Sequence, residues 1–331
     1  MSAAIALARK GVRRETIDSA RRNAWTLGLL GLLVILFLFT RFIQPSYGVA
    51  GVQGLGISVL PLALAAVAQA VVVIAGGIDL SIGSMMALTS VVSATLMKGQ
   101  SEEFAIVVVI GTLLLGLGLG AVNGVLVVVT RVPDIVVTLA MSFVWAGCAL
   151  IVRSAPGGGA AEWLKDLVSG PLGNEWIPKA TVVMLVVVAV VWLPLARSKL
   201  GLSLYAIGSN RLAAFRSGVA VDRTRVASYV LTGFFSALAG LSLTASTGVG
   251  TPVPGPYTLL SVAAVVLGGV SLAGGRGGLF GPIIAVVVLQ LIRTDLTFLN
   301  VNTNLALVAQ GIILIGVVMF GSWFEMRRAR R

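Results

Sequence analysis

The 331-residue chain is 57% hydrophobic and only 11% charged, where a soluble domain carries roughly 25% charged residues. With a mean hydropathy of +1.03 and several runs reaching the ~20 apolar residues that a bilayer crossing needs, it cannot be a soluble globular protein. The net charge of +12 would suit nucleic acid, but the basic residues cluster in short loops between apolar runs, as orientation signals do.

The first 23 residues carry Arg9, Lys10, Arg13, Arg14, Arg21 and Arg22 and read as a cytoplasmic basic tail. No small-residue cleavage site follows the apolar run behind them, so the first span reads as a retained anchor rather than a signal peptide. Span 1 is predicted over residues 24–43 and span 2 over 54–75, with a kink at Pro61. Then comes AGGIDLSIGSMMALT at 75–89, where Gly76, Gly77, Asp79, Ser81, Gly83 and Ser84 interrupt nearly pure hydrocarbon. A charged group at membrane depth costs at least ~2.5–3.5 kcal/mol on insertion scales. Freed backbone is tolerated there only when buried in protein or lining water. Two readings stay open: a break along a permeation path, or a short cytoplasmic turn with Asp79 as N-cap.

Span 3 is predicted from Gly77 to Met97, with Glu102 and Glu103 in an outside loop. Span 4 (104–130) carries Gly116, Gly120 and Gly124, a ridge of small residues that lets another helix approach closely. Asn123, one residue off that ridge, is either packing glue or part of a path. Span 5 follows Pro133 and Asp134 and ends near Arg153. Residues 154–179 read as an outside loop with Trp163 and Trp176 as interfacial anchors. Span 6 is 180–196.

Residues 197–225 hold six basic residues against Asp222 and read as a cytoplasmic coupling loop. Within it NRLAAFRS has helical spacing: either a helix lying on the membrane or a docking helix for a cytoplasmic partner. Span 7 (226–246) leads to a turn-rich loop and span 8 (258–272). Residues 268–281 then contain seven glycines, Gly268 and Gly269 first. Spans 9 (279–292) and 10 (304–320) close a single transmembrane domain over 24–322, followed by a basic tail at 323–331.

Ten spans place both termini on one side. Eighteen Lys and Arg then fall inside and six outside, the bias expected with cytoplasmic termini. GGIDLSIG at 76–83 and GGVSLAGG at 268–275 echo each other. Paired glycine interruptions in two halves point to a transporter site built from pseudo-repeats. The single Cys148 excludes internal disulfides. With no histidine, no metal site of nitrogen and sulfur ligands is expected, and no cofactor.

GGIDLSIGSMMALTS at 76–90, VNGVLVVVTRVPDIVVTLAM at 122–141, GLSLYAIGSNRLAAFRSG at 201–218 and AAVVLGGVSLAGGRGGLFG at 263–281 stand in the order of one family's motifs. The chain resembles the permease subunits of bacterial ABC importers for ribose, xylose, galactose and related sugars. The resemblance implies a multi-pass inner-membrane protein, a periplasmic sugar-binding protein, a cytoplasmic ATPase and a second permease subunit, identical or not. It fits that the chain has no phosphate loop of its own, so it is not expected to be an enzyme. The chain departs from the family pattern at Thr258, at residues 292–295 and at Arg211, where other side chains are usual.

Sugars are neutral and heavily hydroxylated, so their path needs hydrogen-bonding groups that hold loosely. Asp79, Ser81, Asn123 and Thr138 are the candidates. Asn210, Ala213, Ala214 and Gly218 are the expected ATPase contact, small residues permitting close seating in a groove. The rival reading is an ion-coupled secondary transporter with Asp79 or Asp134 as its proton or sodium site. An intramembrane enzyme lacks the side chains such chemistry uses.

Overall fold

The computed structural model describes residues 24–302 except Pro254, together with 305, 308, 311, 312, 315, 316 and 319. The described residues are helical apart from turns and one short antiparallel hairpin. The helices are α1 (Ala24–Ile43), α2 (Val49–Ile74), α3 (Ile82–Met97), α4 (Glu102–Thr130), α5 (Asp134–Val152) and α6 (Glu162–Val168). After the strands β1 (Pro171–Leu172) and β2 (Asn174–Pro178) come α7 (Lys179–Arg197), α8 (Lys199–Ser209), α9 (Arg211–Arg216), α10 (Val221–Thr247), α11 (Tyr257–Leu267) and α12 (Phe280–Phe298).

Seven of these are long and apolar enough to cross a membrane: α1, α2, α4, α5, α7, α10 and α12. The described residues thus support a multi-pass helical protein without reaching the expected count of about ten spans. Helices α3 and α11 have 16 and 11 residues, which reach only ~24 Å and ~17 Å against a hydrocarbon core of about 30 Å. Glycine clusters clip both. Span 10, predicted at 304–320, falls largely outside the described residues.

Other boundaries shift as well. Helix α2 begins at Val49 and runs on through Pro61. Glu102 and Glu103 open α4 instead of lying in a loop, with Ser101 as its N-cap. The expected outside loop at 154–179 folds into α6 and the hairpin. There the Trp163 indole N–H donates to the Glu102 carbonyl at 3.1 Å, while Trp176 stands exposed.

Helix α2 is the axis. Every residue from Val59 to Ile74 is buried, enclosed by α10, α11, α12 and α7. Helices α1, α5 and α7 lie at the periphery, with few of their residues buried. Lipid is as apolar as leucine, so burial here follows side-chain size rather than hydropathy. The Gly116–Gly120–Gly124 ridge does what its spacing predicts. It seats α4 on α10, so that a Cβ at Gly120 would collide with the Tyr229 carbonyl and one at Gly116 would lie 2.6 Å from the Gly233 carbonyl oxygen.

Candidate functional site

Helix α2 ends as a Schellman cap. Gly76 takes φ +79° and its N–H donates to the Val73 carbonyl, while the Gly77 N–H reaches back to Val72, both at 2.9 Å. Only glycine adopts that left-handed backbone without steric cost. Helix α11 ends the same way, with Gly269 at φ +79°, its N–H on the Val266 carbonyl and the Val270 N–H on Val265. The geometric equivalence pairs Gly76 with Gly269, one residue out of step with the sequence echo. Seven residues then separate α2 from α3 and twelve separate α11 from α12, so the likeness stops at the caps. Gly77 and Gly268 keep ordinary backbone and serve close approach, to Asp134 and Tyr229 and to Gly281 and Pro282.

The two breaks meet. The Gly275 N–H, in the loop after α11, donates to the Ile74 carbonyl at the end of α2, 2.9 Å away. Gly208 of α8 wedges between them, and a Cβ there would strike the Ile74 oxygen. Side chains from α8 and α9 reach both: Arg211 Nη2 donates to the Gly76 carbonyl at 3.0 Å and the Tyr205 hydroxyl to the Gly277 carbonyl at 2.9 Å. Burial holds the Tyr205 phenol above its ordinary pKa, so it remains a donor. The basic segment predicted as a coupling loop thus grips the main chain of both interruptions.

Beyond Gly77 lies a buried polar network. Asp79 Oδ1 accepts from the Ser81 N–H at 2.8 Å and from its hydroxyl at 2.6 Å. Asn123 Nδ2 donates to Ser81 Oγ at 2.7 Å, and the Trp145 indole N–H donates to Asn123 Oδ1 at 3.2 Å. Thr138 Oγ1 accepts from the Leu80 N–H at 3.0 Å and donates to the Asp134 carbonyl at 2.9 Å. All four predicted path residues are fully enclosed and gather around one loop. Asp79 does not cap α3, whose N-cap is Ser81. Asp79 Oδ2 has no partner among the described residues. Asp134 is fully engaged instead, taking Arg225 Nη2 at 2.6 Å and the Tyr229 hydroxyl at 2.8 Å. That leaves it no free oxygen for a transported ion.

Of the four predicted docking residues, Asn210 caps α9, its Oδ1 accepting from the Ala213 N–H at 2.9 Å. Gly218, at φ +83°, ends α9 in a third Schellman cap, and Ala214 is buried beneath. Ala213 is exposed. The sequence reading noted an Ala/Phe face here but left Leu212 and Phe215, exposed apolar side chains three apart on this short helix, out of the docking residues. With Val219, Ala220 and Val221 they line an open hollow of about 640 Å³. Their signal was present, since two large apolar groups on a charged segment have no reason to face water. Gln69 also escaped notice inside an apolar run, although it is buried in mid-α2.

Comparison with known proteins bears on this arrangement. Residues 52–318 match the family described as branched-chain amino acid transport system, permease component. The ribose import permease protein RbsC of Escherichia coli K12 is 30% identical over 317 residues, covering 92% of this chain and 97% of the relative. The D-allose transport system permease protein AlsC of the same strain is 31% identical over 249 residues, 74% of this chain and 75% of its own length. The autoinducer 2 import system permease protein LsrD of Escherichia coli O9:H4 is 30% identical over 315 residues, 90% and 92% of the two chains. No solved structure matches.

Proposed function

The chain belongs to this family of membrane-spanning import permeases, and from that premise we propose that it forms half of the path for a monosaccharide delivered by a periplasmic binding protein. Power comes from a separate cytoplasmic ATPase seated on α9, and a second permease subunit, identical or related, completes the path. The protein is multi-pass, and the bias of its basic segments supports a bacterial inner membrane with both termini and α8–α9 on the cytoplasmic side.

One observation carries this reading: the contact of Arg211 and Tyr205 with the backbone at Gly76 and Gly277. A push on α8 and α9 is delivered to both helix interruptions at once through these two side chains. Asp79, Ser81, Asn123 and Thr138 then act as the groups that the moving loop exposes to, or withdraws from, sugar hydroxyls.

The test is reconstitution in vesicles with the partner ATPase and binding protein, using labelled D-ribose, D-xylose and D-galactose. Uptake of at least one sugar that requires ATP, is stopped by vanadate and ignores an uncoupler is the expected result. Uptake by this chain alone, driven by an ion gradient, would overturn the proposal in favour of a secondary transporter.

A further inference from the structure

Among the described residues, Gln69 alone is a buried side chain whose polar atoms both lack a partner. It is fully enclosed, and its neighbours along the face of α2 are hydrocarbon: Leu62, Ala65, Ala66, Val72 and Val73, each no more than 1% exposed. An amide taken out of water without hydrogen bonds is costly. Such a group in a membrane bundle calls for a partner or a function.

The surroundings across the helix contact say what that is. Thr232 of α10 donates to the carbonyl of Ala68, the residue before Gln69, at 3.2 Å. Ser228, Thr232 and Ser236 repeat every fourth residue along α10, and all three are fully buried. Ser228 and Ser236 spend their one proton on α10 itself, on the Arg225 and Thr232 carbonyls, while Thr232 shares its proton between the Ser228 and Ala68 carbonyls. Their oxygens therefore remain acceptors. The unpaired amide of Gln69, carrying donors and an acceptor, follows directly on the residue that Thr232 contacts. Gly76 follows Gln69 by seven residues, so the site lies two turns, or roughly 10 Å, from the break that α8 and α9 grip.

We propose that Gln69, with the hydroxyl column of Ser228, Thr232 and Ser236, is a hydrogen-bonding station for the transported sugar deep in the α2–α10 contact. This rests on the sugar-permease reading above. A polyhydroxylated solute offers donors to the serine and threonine oxygens and both donors and acceptors to the amide. An apolar or ionic solute could satisfy neither.

The experiment uses the full transporter complex in vesicles and whichever sugar of the panel above the wild type accumulates most. Gln69→Met keeps the volume and removes the polarity. It lowers the maximal uptake rate about tenfold, the cost of one lost hydrogen bond. The half-saturation concentration, set by the binding protein, stays put, and the complex melts no lower than wild type. Gln69→Asn, with its amide one methylene shorter, recovers part of the rate. Uptake within twofold of wild type in Gln69→Met, equal loss in both variants, or a lower melting temperature for Gln69→Met each overturns the assignment. A wild-type complex that accumulates no sugar overturns the permease reading itself, and this proposal falls with it.

Discussion

At the scale of single residues, the glycines of the break differ in what they do, and substitution separates them. Gly76 is required by its backbone angle, and a Cβ there meets only ordinary contacts, the Gly208 Cα at 3.4 Å. Gly76→Ala should cost about 1 kcal/mol, leaving a folded complex with uptake within a fewfold of wild type. Gly208 has unremarkable backbone, but any Cβ meets the Ile74 carbonyl and, at 2.5 Å, the Gly275 nitrogen. Gly208→Ala should break the hydrogen bond between the two interruptions. Detergent melting should then fall by several degrees, corresponding to about 2 kcal/mol or more. Equal effects of the two substitutions would show that the seam is softer than its contacts indicate.

The helices record where reading the sequence succeeded. The ridge at Gly116, Gly120 and Gly124 was legible because close packing leaves a spacing that composition cannot mimic. Gly76 and Gly77 were legible as a break because glycine pairs rarely interrupt hydrocarbon without a backbone reason. The lengths of α3 and α11 were not legible, since apolar residues continue through both glycine clusters while the helices stop at their caps. The echo between the halves was misjudged by one position for a similar reason: letters align on both glycines of each pair, whereas geometry depends only on the one with positive φ. In the coupling segment, Asn210 and Gly218 attracted attention as motif residues, yet each is spent on shaping α9. The side chains α9 presents are Leu212 and Phe215. Replacing both with glutamate should abolish copurification of the ATPase while the permease still inserts and folds, as membrane fractionation and melting would show. Retained copurification would remove α9 as the docking element.

At the scale of the whole molecule, the prediction concerns sidedness. Cysteines placed at Ser217, beside α9, and at Gln100, between α3 and α4, in a Cys148→Ala background should label from opposite faces of intact cells. Ser217→Cys should react only after permeabilisation and Gln100→Cys before it, using a thiol reagent that does not cross membranes. The opposite pattern would invert the topology and detach the basic segments from the cytoplasm. The polar network around Asp79 makes a related point about scale. Asp79, Ser81, Asn123, Trp145 and Thr138 come from two helices and one loop, so their meeting belongs to the assembled bundle. The sequence could name four of them as polar oddities. It offered no means of seeing that Asp79, Ser81 and Asn123 form one chain of hydrogen bonds while Thr138 holds the main chain of the same loop, or that Asp134 is held by Arg225 and Tyr229.

The junction of Ile74, Gly76, Gly208, Gly274 and Gly275 is made from main chain alone. A joint of that kind offers little to vary, because a carbon added at Gly208 or Gly274 collides with main chain. Taste for a new cargo is then most easily written elsewhere, in groups such as Gln69 and Thr232 that still have chemistry to exchange.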